Sequence, residues 1–125
     1  MDVAEIAADR GWIRIADKAL AVLVRNACLD VPGVAAMDSR FSNTLSSRIA
    51  GEDAEGVHIS IRDNKVNASL YLLLYHGVRA PEVALRVQER VKEALADSAE
   101  LAVGTVDIFV QGIIFGEERR FTHDG

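Results

Sequence analysis

Paired cysteines, clusters of basic residues and long apolar runs are all missing from this chain, and each absence removes a class of function. Cys28 is the only cysteine among 125 residues, which rules out an intramolecular disulfide and any CxxC metal or redox site. Lys and Arg number 14 against 19 Asp and Glu, a formal net charge of −5, so the footprint of a nucleic-acid binder is missing. The densest basic spots, Arg86, Arg90 and Lys92 and then Arg119 and Arg120, are interleaved with Glu82, Glu89, Glu93, Glu117 and Glu118, the pattern of a mixed solvated face. The start, Met1-Asp2-Val3-Ala4-Glu5, is acidic where a signal peptide is basic. No stretch approaches the ~18 apolar residues of a membrane span, and the densest, Leu70 to Tyr75, has the length of a strand. The reading that follows is a cytoplasmic protein that inserts into no membrane and reaches one only when another molecule holds it there.

Catalytic patterns are missing as well. The histidines His58, His76 and His123 show no H-x-x-x-H or H-E-x-x-H spacing, and no Gly-rich phosphate loop or nucleophile elbow exists. His58 falls on the outward row of a strand, His76 ends a strand just before Gly77, and His123 lies in a polar tail. Cys28 lies on an apolar helical stripe near a helix C-terminus, a setting that makes it a small hydrophobe and not a nucleophile. The carboxylate pairs Asp53/Glu55 and Asp97/Glu100 read as solvated charge. The expectation is therefore no catalytic residue, no metal ligand and no cofactor.

What is present is a globular balance, half hydrophobic and 26% charged, in a length that folds as one domain. Residues 1–10 form an N-terminal extension in which Val3, Ile6 and Ala7 have helical spacing. Trp12 to Ile15 is a short β-rich run, after which Asp17 is placed to cap a helix. Leu20, Leu23, Val24, Ala27 and Cys28 form the apolar stripe of that helix, which Pro32-Gly33 ends. Val34 to Met37 reads as a strand, and residues 38–56 as an irregular loop with Phe41, Leu45 and Ile49 four apart.

Val57, Ile59 and Ile61 then alternate with His58, Ser60 and Arg62. Asp63-Asn64 is a two-residue turn, and pairing Arg62 with Lys65 sets Ile61 opposite Val66. Val66, Ala68, Leu70, Leu72 and Leu74 make one row, leaving Asn67, Ser69, Tyr71, Leu73 and Tyr75 on the other. Pro81 opens a second helix with Val83, Val87, Val91 and Leu95 in steps of four. Val106, Ile108 and Val110 form the inward row of a last strand, with residues 112–115 as its extension and 117–125 as a polar tail.

The predicted class is α+β: a two-layer sandwich of order β-α-β-β-β-α-β over residues 11–116, with a mixed sheet and both main helices on one face. The last strand lies parallel to its predecessor through a right-handed crossover. The other face is left open, and it carries Tyr71, Leu73, Tyr75 and Phe109 among polar neighbours. Aromatics in a polar surround make up a typical interface, so these four are the candidate interaction face.

Several segments taken in order resemble the bacterial alkaline-shock-protein, or general-stress, family. They are Gly11 to Asp17 leading into the first helix, Val31-Pro32-Gly33-Val34 closing it, Gly56 to Ile61, and Val66 to Gly77. Val87-Gln88 through Val91-Lys92 to Leu95, and Val106 to Ile113, complete the set. His76, standing where the family runs Tyr into Gly, and Ala99 to Val103 depart from the pattern. The resemblance implies a non-enzymatic envelope-stress protein that self-associates as a homo-oligomer or filament. It implies a place beneath the cell membrane, held by a membrane-anchoring partner, and it brings no catalytic or ligand residues. An alternative of another class is a small ligand-binding or iron–sulfur scaffold domain, which needs cysteines where Gly77 to Pro81 has none. A third is a small-molecule enzyme using a cleft near His76.

Overall fold

The structure, a computed structural model, describes residues 3–38, 55–99 and 101–115. The spacing of Phe41, Leu45 and Ile49, most of the 38–56 loop and the tail 117–125 lie outside the described residues. Strands β1 (Val3–Ala8) and β2 (Gly11–Ala16) precede helix α1 (Asp17–Leu29), then come β3 (Val34–Met37), β4 (Val57–Arg62) and β5 (Lys65–Tyr75). Helix α2 (Ala80–Ala99) and strand β6 (Ala102–Ile114) follow.

Strand β5 organises this α+β sandwich. It is antiparallel to β4, with Arg62 opposite Lys65 and Ile61 opposite Val66, and Asp63 and Asn64 have φ of 52° and 59°. Two consecutive positive φ values are those of a type I′ turn, whose twist matches that of the strands it joins. Strand β6 runs parallel to β5 from Lys65 to Tyr75 on its other edge. Strand β3 pairs antiparallel with Leu72 to Leu74, on the edge where β4 pairs with residues 65–70. β3 and β4 are therefore two collinear pieces of one edge strand. Tyr71 spans the break: the Asp38 N–H donates to its carbonyl at 2.9 Å, and its own N–H donates to the Gly56 carbonyl at 2.8 Å. Gly56 has φ +73°, and a Cβ there would stand 2.9 Å from Met37 Cβ and the Tyr71 oxygen, so this junction requires glycine.

Alternation decides which face is covered. Val66, Ala68, Leu70, Leu72 and Leu74 are all buried against Leu20, Val24 and Cys28 of α1 and Val83, Val87, Val91 and Leu95 of α2. Both helices pack on this one face, and Arg90 of α2 reaches Asp30 at the end of α1 at 3.4 Å.

Three local expectations give way. Val3 to Ala8 form a strand and not helical turns: β1 pairs with β2, Glu5 facing Arg14, and their side chains meet at 3.0 Å. Six residues that find a β partner gain a ladder that an isolated helix of that length cannot match. The element order thereby acquires a strand ahead of the predicted seven. Asp17 is the first helical residue and not the cap; Ala16 holds the cap position with no side-chain bond. The Asp17 carboxylate acts there through the helix dipole. Finally, α1 ends at Leu29, ahead of Pro32, as the Asp30 N–H turns to the carbonyls of Asn26 and Ala27.

The N-terminal hairpin is tied to the β4–β5 turn by one side chain. The Glu5 N–H donates to Asn64 Oδ1 at 3.0 Å, and Asn64 Nδ2 donates to the Glu5 carbonyl at 2.8 Å. Asn64 thus imitates a strand residue while holding the turn. Asn64→Gly preserves the positive φ but removes both bonds, at a cost of about 1–2 kcal/mol. The expected result is faster hydrogen exchange at the Glu5 amide with the β4–β5 amides unchanged.

Burial pushes the Cys28 thiol up to about 12 from 9.0. Because the folded value is the higher one, this group's stabilisation is complete below pH 9 and is lost as pH rises toward 12. Native Cys28 is expected to resist a thiol reagent until the chain unfolds. Cys28→Ala should cost about 1 kcal/mol or more as a small cavity. Urea unfolding at rising pH should show the wild type losing more stability above pH 9 than Cys28→Ala does.

Candidate interaction face

The residues of β5 that point away from the helices are Asn67, Ser69, Tyr71, Leu73 and Tyr75, each half-buried. Parallel register places Asp107 beside Ser69 and Phe109 beside Tyr71. The two rings stack with centroids 4.9 Å apart and planes 14° from parallel. The structure thus brings Tyr71, Leu73, Tyr75 and Phe109 together on one face, with Phe109 42% exposed. At the other end of the face Asn67 Oδ1 accepts from the Thr105 N–H at 2.9 Å and from its hydroxyl at 3.2 Å. The aromatic pair therefore meets a polar, hydrogen-bonded border at this end of the face.

A register shift between Leu72 and Leu73 inserts Gln111 into β6 and changes its parity. Beyond the bulge Gly112 and Ile114 join Leu73 and Tyr75 on the open face, and Ile113 moves to the helix side. Val110, expected on a covered inward row, is 38% exposed and Ile113 45%, so the apolar surface wraps around the β6 edge. Sequence alternation carried no sign of this, because a bulge is one extra residue in an otherwise regular pattern.

His76 caps the same corner. Its N–H donates to the Ile114 carbonyl at 2.9 Å, and its ring tilts against Phe115 at 4.5 Å, with Phe115 66% exposed. His76 is held by strand pairing and a ring contact. His58 lies half-buried on β4, in the row facing away from the helices, and His123 lies outside the described residues. Asp53 and Glu100 also lie outside them, whereas Glu55 and Asp97 are exposed. Among the described residues no three His, Cys, Asp or Glu side chains converge as metal ligands. A shallow groove of about 500 Å³ lies elsewhere, between the N-terminal hairpin and the β4–β5 turn, lined by Val3, Glu5, Trp12, Ile61, Asp63 and Asn64. No described helix is long and apolar enough to cross a membrane.

Comparison with known proteins agrees with this architecture in extent. The chain is 28% identical over 106 residues to the uncharacterized protein YqhY of Bacillus subtilis, covering 84% of this chain and 78% of that one. It is 31% identical over 106 residues to the uncharacterized protein Spy1535 of Streptococcus pyogenes, covering 83% and 80%. With Spy1614 of the same organism the identity is 30% over 111 residues, covering 86% and 92%. No solved structure matches. Residues 5–115, from the first strand to the end of the last, match the model of a family with a cell envelope-related function, and the chain belongs to that family, the alkaline shock protein 23 family.

Proposed function

We propose that this chain is a non-enzymatic protein of the bacterial envelope stress response that works by self-association beneath the cell membrane. A separate membrane-anchoring protein holds it there. Family membership supplies the link to the envelope. The observation that carries self-association is the stacked Tyr71–Phe109 pair on a sheet face that neither helix covers, with Leu73 and Tyr75 beside it. Closing that face against another subunit removes aromatic area from water at about 25 cal/mol per Å², less the cost of association. The Cys28 thiol, held neutral inside the core, offers no nucleophile to compete with this reading.

Tyr71→Lys with Tyr75→Lys should leave secondary structure intact, while loss of the ring pair costs about 0.5–1.5 kcal/mol of stability. Sedimentation should show the wild type as an assembly and the double variant as smaller particles. A wild type that stays monomeric at high concentration, or a double variant equally assembled, would overturn the reading.

Membrane attachment through a partner makes a separate prediction. Vesicles containing anionic lipid should not retain the purified protein, whereas the membrane fraction of its own cells should. Strong, salt-sensitive retention by protein-free vesicles would show direct binding instead.

A further inference from the structure

Strand β6 has a second edge, and among the described residues no strand pairs with it. The direction of its backbone groups follows from β5. Tyr71 spends both its N–H and its carbonyl on the β3–β4 side, so Leu70, Leu72 and Leu74 direct theirs toward β6. In a parallel ladder such residues bond to the neighbours of their register partners and not to the partners themselves. Their partners, Ile108, Val110 and Ile113, therefore turn their own N–H and carbonyl groups outward. Val106 has the same parity, and its carbonyl is met from outside by Gln88 of α2, whose Nε2 donates at 2.9 Å. The helix thus closes the first part of the edge and leaves it open from Ile108 onward.

The open part has unusual surroundings for an edge. Natural edges are blunted by Lys, Pro or strong bulges. From Ile108 to Phe115 this strand has no charged residue and no proline, and one bulge at Gln111. Leu85, one turn before Gln88 on α2, is 58% exposed, and Val110 and Ile113 add exposed apolar side chains on the helix side of the edge. Phe109 on the open face and Phe115 just past the strand are exposed as well.

We propose that this edge receives a second copy of itself, β6 against β6 in antiparallel register, so that one sheet runs through two subunits. The proposal rests on the self-association reading but assigns a contact distinct from the Tyr71 face. Three features favour a second copy as the occupant. An uncharged strand offers nothing to the charged side chains of a foreign segment, whereas its own copy is equally uncharged. A two-fold axis near Val110 sets apolar edge against apolar edge and moves the two Asp107 carboxylates to opposite ends of the ladder. Two copies of these exposed side chains with the intervening backbone bury on the order of 1,000 Å², the size of a weak, reversible interface.

The test uses the full chain. Hydrogen exchange at the Ile108 and Val110 amides should slow as protein concentration rises, in step with dimer formation in sedimentation. Val110→Pro removes an outward N–H without touching a bond to β5, and Val110→Lys retains the N–H but charges the edge. Each should weaken dimerisation about tenfold or more, with Val110→Lys deciding the matter if the proline variant misfolds. An assembled wild type whose Ile108 and Val110 amides exchange alike at every concentration overturns the edge contact and leaves self-association standing. So does a Val110→Lys variant that assembles as well as the wild type while Tyr71→Lys with Tyr75→Lys does not. Protection of those amides that is complete even in dilute monomer assigns the edge to another part of the same chain and also overturns the proposal. A wild type monomeric at all concentrations removes both this contact and the reading beneath it.

Discussion

Among the described strands, β5 alone is hydrogen-bonded along both edges, and the remaining architecture follows from its eleven residues. Its even-numbered row is apolar and buried, which fixes the face on which α1 and α2 must lie. Its odd-numbered row is thereby committed to the opposite face, so Tyr71, Leu73 and Tyr75 cannot enter the core without a slip of register that would expose four large side chains. The backbone of Tyr71 also closes the interrupted edge strand, holding Asp38 and Gly56 together. One residue thus joins the sheet edge to the candidate interaction face: its main chain seals the β3–β4 junction and its ring stacks on Phe109.

The layout leaves the molecule asymmetric. The N-terminal half of β5 is enclosed by β4, by the docked hairpin at Asn64 and by Gln88 over Val106. The far corner, where β6 passes its bulge, concentrates the exposed Phe109, Val110, Ile113 and Phe115. Uncovered apolar area of this kind costs free energy in water unless something removes it, and here it lies on both sides of one strand. Under the proposed self-association such a corner has a physical use: the acidic net charge would keep separate molecules apart, and the uncharged stretch is where they would meet.

Most of this fold is legible in the sequence. The Asp63-Asn64 turn, the register of Arg62 against Lys65, the parallel last strand and the shared helix face all follow from periodicity and turn chemistry. The four face residues were legible for the same reason, since parity on β5 places three of them and parallel pairing places Phe109. The failures share a cause. Val3 to Ala8 have a spacing that suits a helix, yet a partner strand stood three residues away, and pairing overrode a weak local pattern. The collinearity of β3 and β4 is invisible in a sequence that separates them by nineteen positions, because only the long β5 brings them into line.

The sequence alone therefore determined which residues are apolar together, where the chain turns, and that one sheet face would stay uncovered, because these depend on periods of two and four along the chain. It also excluded an intramolecular disulfide and the CxxC metal or redox site. Only the tertiary structure decided where that uncovered surface ends: the bulge at Gln111, the reach of Gln88 to Val106 and the direction of the outward amides of β6 arise between segments far apart in sequence. Which edge is closed and which is open depends on backbone hydrogen-bond geometry and on long-range contacts such as that of Gln88, neither of which a local sequence period marks.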